Sequence, residues 1–274
     1  MRMFLATGLA ALTIAAAPAF AQDGAGEFDG PYVGASVGYG FQSDDSGEGV
    51  LFDRGFNGSL DTITTAAGAN AFSPGFCGGA ATSSANTACT KDKDGVEYHF
   101  RAGWDAQSGN WVIGVVGEIG KSDVRDSVSA FSTTPASYTF TREIEWDASL
   151  RARAGYVAGD RTLIYATFGP SYARIENGFS TSNTANAFAN NGKSDSWGVS
   201  GGGGVEHKIG RNFSVGLEYL YTRFSDDDFR VRVTQGTAPA TNPFILNGAA
   251  GTEMRRSDPR FDWHAVRVTA AFRF

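Results

Sequence analysis

The sequence predicts an all-β chain, an eight-stranded antiparallel up-and-down transmembrane β-barrel with long external loops and short periplasmic turns. Three observations carry this expectation. Eight segments alternate apolar and polar residues with period 2. The connections between them are alternately long and short. No stretch after residue 21 approaches the ~20 uninterrupted apolar residues of a spanning helix, whereas a spanning strand needs only about 9 to 11.

The N-terminus comes first. MRMFLATGLAALTIAAAPAFA carries a charge at Arg2, an apolar run from Phe4 to Ala17 and small residues at Ala19 and Ala21. This is the pattern of a secretory signal cleaved between Ala21 and Gln22. The expected organisation is therefore a signal peptide over 1–21 and a barrel over 22–274. The run is too short and alanine-rich for a good membrane anchor.

The strands are expected near residues 30–41, 95–106, 110–121, 142–157, 161–175, 195–207, 212–224 and 260–274. In the first, Val33, Ala35, Val37, Tyr39 and Phe41 form the outward set, and Tyr32, Gly34, Ser36, Gly38 and Gly40 the inward one. Small inward residues make room in a narrow barrel for large side chains elsewhere. The second sets Val96, Tyr98, Phe100, Ala102 and Trp104 outward against Glu97, His99, Arg101, Gly103 and Asp105. In the seventh only Leu220 breaks the pattern. The eighth turns Val266, Val268, Ala270, Phe272 and Phe274 outward.

Short links at 107–109, 158–160 and 208–211 alternate with long polar segments at 42–94, 122–141, 176–194 and 225–259. An even strand count then places both termini in the periplasm. Outward Trp104, Trp111, Tyr156, Phe213 and Phe274 fall at one end of the barrel, and Trp146, Trp197 and Tyr221 at the other. Two such girdles are what a bilayer interface selects. A soluble barrel or sandwich, the competing architecture, gives no reason for them.

Glycine (36 residues) and aromatics (13%) are abundant. The formal charge of −6 becomes −7 after the signal leaves, with 23 − 1 = 22 basic residues against 29 acidic ones. That balance argues against a nucleic-acid partner. The only cysteines, Cys77 and Cys89, lie in one polar segment of an exported chain, so a disulfide between them is expected. It would contribute about 2 kcal/mol to an otherwise ordered loop. A metal site there would need further ligands that the neighbourhood does not supply.

PYVGASVGYGF, NWVIGVVGEIG, DRTLIYATFGPSYARIE, VGLEYLYTRF and HAVRVTAAFRF resemble, in order, the first, third, fifth, seventh and eighth strands of the small porin-like, opacity-type outer-membrane proteins. That family includes a twenty-five-kilodalton class of eight-stranded barrels. The likeness spans nearly the whole mature chain, and its motifs encode barrel geometry rather than an activity. It implies a place in the cell outer membrane, among lipid and lipopolysaccharide. It also implies that Phe272 and Phe274 belong to a C-terminal signal read by the barrel assembly machinery. The chain departs from the family at Val116, where an inward acidic residue is common, and at Phe168 and Pro170, which flank Gly169 where a glycine pair is more usual.

Seven charged residues are expected to project inward: Glu118, Arg151, Arg153, Glu206, Glu218, Arg267 and Arg273. An eight-stranded barrel has an interior just wide enough for side chains to fill. The expected outcome is a salt-bridge lattice that plugs the lumen. A narrow low-conductance pore lined by the same charges is the first alternative, and a surface adhesin or binding module acting through the loops is the second. His99, His207 and His264 have no serine two positions on, so no His-x-Ser pair is present to activate a nucleophile. No catalytic residue, cofactor or metal is therefore assigned. The acidic run at Asp226, Asp227 and Asp228 is unspecific for calcium, because consecutive carboxylates point apart.

Overall fold

The computed structural model describes residues 26–42, 48–72, 76–77, 90–133 and 136–274. The signal segment, its cleavage position at Ala21 and Gln22, and Cys89 lie outside the described residues, as does the side chain of Cys77.

Eight long strands form the barrel: Gly30–Phe41, Gly95–Ser108, Trp111–Ser122, Ala136–Ala158, Thr162–Thr181, Ser194–Lys208, Phe213–Ser225 and Arg260–Arg273. Each pairs antiparallel with the next, and the eighth returns to the first in an unbroken register from Tyr32↔Arg273 to Phe41↔His264. Closure leaves the barrel strands without a free edge, so the backbone polar groups of the wall are satisfied within it.

The side-chain alternation follows the pleat, in which successive residues point to opposite faces. Val33, Val37, Tyr39 and Phe41 are exposed on the outer wall, whereas Tyr32 and Ser36 are buried inside. Phe100, 74% exposed, and Arg101, 6% exposed, are chain neighbours on opposite faces. Such an apolar outer wall is costly in water and favourable in lipid. Inside, glycines mark close approach of neighbouring strands. A Cβ on Gly202 would lie 2.0 Å from the Tyr219 carbonyl oxygen, and one on Gly34 would lie 2.1 Å from that of Ala270.

The fourth and fifth strands run 23 and 20 residues, about twice what a bilayer crossing requires. The fourth begins and the fifth ends six residues beyond the expected boundaries, because Tyr138–Thr141 and Glu176–Thr181 continue the same ladder and Ala136 and Ser137 pair with Ser132 and Phe131. The strand Arg125–Ser132 pairs with the fourth strand, and the short strand Phe76–Cys77 pairs with Arg125–Ser132 in turn.

The long connections differ most from a picture of separate polar loops. Four short strands drawn from three of them form a second sheet in the order Val50–Arg54, Thr252–Arg256, Val231–Thr234 and Ala187–Asn190. This sheet faces the overhanging hairpins, and between the two lies an apolar core. Val50, Phe52, Phe72, Phe244, Val231, Val233 and Met254 pack there with Val128, Tyr138 and Phe140 of the hairpins. The Phe72 ring lies 4.5 Å from Phe52 and 5.4 Å from Tyr138, centroid to centroid. The connections thus build one folded cap with its own core.

Candidate functional site

All seven charged residues expected to face inward are buried in the barrel interior. They sort into two tiers, each made of guanidiniums surrounded by carboxylates.

Nearer the short turns, Arg153 pairs with Asp105 at 2.9 Å and with Glu206. Arg273 meets the same two carboxylates at 2.7 and 3.1 Å. Ser214 donates to Glu206 at 2.6 Å. The Arg153 guanidinium also lies 3.9 Å from the Tyr165 ring centroid, and that of Arg273 lies 4.5 Å from Tyr32. Aromatic faces satisfy the flat sides of guanidiniums whose edges are taken by carboxylates.

The second tier holds three guanidiniums against three carboxylates. Arg101 approaches Glu118 at 3.2 Å and Glu218 at 3.3 Å. Arg151, fully buried, meets Glu118 at 2.8 Å and Glu218 at 3.5 Å. Arg267 pairs with Glu97 and, at 3.0 Å, with Glu118. Tyr165 joins the tiers by donating to Glu218 at 2.8 Å. Toward the cap, His99 and Asp147 stand 3.0 Å apart. Charges of opposite sign in equal number compensate one another's loss of hydration, which neither sign could bear alone.

Glu97, Arg101, Asp105 and Asp147 belong to this lattice but not to the set of seven assigned from sequence. The alternation of the second strand already turns the first three inward, so the signal was present. Val116, at the position that departs from the family, is buried against Tyr32 and Ala271.

Apolar side chains bracket the ionic tiers. At the short-turn end the segment before the first strand enters the barrel, and the fully buried Phe28 packs among Val112, Val157, Leu163 and Tyr165. Its amide donates to Gln107 at 2.9 Å, and its carbonyl accepts from Arg273 at 2.9 Å. Toward the cap, Trp263, Phe261, Phe224, Ile144 and Ile175 form a second apolar layer. Trp263 donates to Glu97 at 3.1 Å, tying that layer to the lattice.

On the outer wall the girdle residues meet one another. Trp111 and Tyr156 are in edge contact at 5.3 Å at one end, and Trp146, Tyr172 and Trp197 form a row at the other. His264 sits outward between Tyr219 and Tyr221, and His207 lies near the short turn, 3.0 Å from the Thr162 hydroxyl. Phe272 and Phe274 make an edge contact at 5.4 Å. In the acidic run, Asp226 turns in to accept from Ser194 at 2.6 Å, while Asp227 and Asp228 face out.

A family model described as the outer membrane protein beta-barrel domain matches residues 7–238. The 31 kDa outer-membrane immunogenic proteins of Brucella melitensis and Brucella suis are each 32% identical over 123 residues, covering 44% of this chain and 51% of theirs. The chain thus spans about half the length of the curated relatives it matches. Among solved structures, the outer membrane protein OprG from Pseudomonas aeruginosa aligns with a TM-score of 0.48 and 10% identity, over 91% of this chain and 98% of that one. The resemblance read from the strands is borne out by the family match and by the closed eight-stranded barrel. The chain belongs to the outer membrane protein beta-barrel domain family.

Proposed function

We propose that this protein is a structural outer-membrane barrel whose lumen is closed by its own side chains and whose work is to hold a folded cap at the cell surface. One observation carries the reading. The interior is crossed by two charge-balanced tiers whose guanidiniums and carboxylates form ion pairs with one another, with apolar layers at both ends. A conducting path needs charges that a passing ion can use and a continuous wet route. Here the charges are committed to partners within the wall.

In this reading both termini face the periplasm and the cap faces outward, next to lipopolysaccharide. The final strand with Phe272 and Phe274 engages the assembly machinery. No chemical step is assigned to any residue.

The test is single-channel conductance of refolded residues 22–274 in planar bilayers, alongside Arg151→Ala and Arg267→Ala. A folded protein that stays silent supports closure. Steady openings whose size changes in the variants replace this reading with the pore. A second reading, a binding module, draws on the cap's apolar core, because a core fixes a surface in one shape. Binding lost through charge substitutions on the cap, with the barrel intact, would support it.

A further inference from the structure

Where the cap sheet meets the barrel rim there is a cavity of about 200 Å³. Leu51, Phe229 and Pro259 give it an apolar lining, and Asp226, Asp227, Arg230, Arg255 and Arg256 border it with charge. Three of these five are already committed or turned away. Arg256 is held by Glu48 through hydrogen bonds of 2.6 and 2.7 Å and by Asp126. Arg230 meets Glu253 at 3.2 Å and donates to the Phe229 carbonyl at 3.0 Å. Asp227 is exposed and faces out.

Two groups of opposite sign remain. The Arg255 guanidinium makes no ion pair or hydrogen bond among the described residues. Asp226, only 4% exposed, accepts from the Ser194 hydroxyl through Oδ1 at 2.6 Å. Its Oδ2 has no hydrogen-bond partner among the described residues, and no cation there pairs with the carboxylate. A carboxylate at this depth has lost hydration that one hydroxyl does not replace. The two groups stand on different walls. Asp226 follows the seventh barrel strand, and its amide is tied to the Pro259 carbonyl at 2.7 Å. Arg255 belongs to the cap strand Thr252–Arg256 and sits opposite Leu51 in the ladder.

We propose that this cavity is a binding site for a small apolar amino acid. The ligand's ammonium group goes to Asp226, its carboxylate to Arg255, and its side chain lies against Leu51, Phe229 and Pro259. A ligand carrying one charge alone would leave either Asp226 or Arg255 without a partner. The planar guanidinium suits a carboxylate, which it can hold through two parallel hydrogen bonds. A mostly apolar lining with a few convergent polar groups is the usual make-up of a small-molecule site. The volume falls below the roughly 300–1,000 Å³ of sites for drug-sized ligands, which points to a molecule of amino-acid size. The site lies at the rim, outside the ionic tiers, so its occupancy is independent of whether the lumen conducts.

Saturation-transfer NMR on the mature chain in lipid nanodiscs tests this with L-leucine as the probe. Two analogues each delete one charge: 4-methylpentanoate lacks the ammonium group and 3-methylbutylamine lacks the carboxylate. Leucine should bind saturably, and each analogue should bind roughly 10- to 100-fold more weakly, the size of a lost charge-assisted hydrogen bond. Arg255→Met, a change on a partly exposed side chain of the cap sheet, should weaken leucine by the same factor and abolish the preference for leucine over 3-methylbutylamine. Asp226→Asn keeps an oxygen for Ser194 and should abolish the preference for leucine over 4-methylpentanoate. Absence of saturable leucine binding to the wild type would overturn the proposal. So would equal affinity of the wild type for leucine and either analogue, or unchanged leucine affinity in Arg255→Met, whether or not Asp226→Asn folds.

Discussion

Arg153→Met tests the lattice most sharply. Met roughly preserves the apolar length of the side chain but removes the guanidinium that faces Asp105 at 2.9 Å, Glu206, and the Tyr165 ring. The two carboxylates then share Arg273 alone, and each loses a compensating charge while buried. Removing one partner of a buried ion pair costs about 3–5 kcal/mol, a large part of the ~5–15 kcal/mol that holds a typical domain together. Arg125→Met is the matched control. It breaks the Arg125–Glu143 pair, whose side chains are each 43% exposed, and an exposed pair contributes at most about 1 kcal/mol. Urea unfolding in lipid vesicles, followed by tryptophan fluorescence, supplies both numbers. Adding Glu206→Gln to Arg153→Met should recover much of the loss, because Arg273 and Asp105 then remain as one balanced pair. An Arg153→Met barrel within about 1 kcal/mol of wild type would refute the reasoning, since a buried pair would then behave like a surface one.

Phe140→Ala should remove about 3–5 kcal/mol from the cap core, exposing the 48–72 and 229–256 segments to limited proteolysis while the barrel strands resist. Phe28→Ala should unseat the segment packed among Val112, Val157 and Leu163; the expected readout is faster exchange of the amides at positions 28 and 29. Gly202→Val places a branched side chain where even a Cβ would stand 2.0 Å from a carbonyl oxygen. The fraction migrating as the compact folded form on unheated gels should fall severely, whereas Gly159→Asn, in a short turn with open space around it and φ +65°, should fold nearly as well as wild type.

Barrel strands are legible because a strand's facing is decided locally. Once Tyr32 is known to point in, Val33 must point out, and no long-range information is needed. Partner choice is different. Arg267 finds Glu97, 170 residues away, through the closure of the sheet and the stagger between strands, neither of which is written in the alternation of either segment. Hence the seven lattice residues were identified as inward but not sorted into tiers. The cap was hidden for a related reason. Its strands VLFDR, VRVT, AFAN and TEMRR are four or five residues long, too short for periodicity to separate them from loop. Their pairing joins Leu51 to Arg255 across most of the chain.

That pairing changes how surface function must be tested. The cap core draws Val50, Phe52 and Phe72 from the first long connection, Val128, Tyr138 and Phe140 from the extended hairpins, and Val231, Phe244 and Met254 from the last. Deleting any one connection uncovers apolar side chains belonging to the others, so loss of an activity would report collapse of the cap rather than the site of contact. Single substitutions on its outward face avoid this difficulty. Arg232 and Arg255 lie on strands whose alternate residues fill the core, and they can be reversed in charge without entering it. An activity that survives both substitutions does not depend on those charges, whatever a whole-connection deletion does to it.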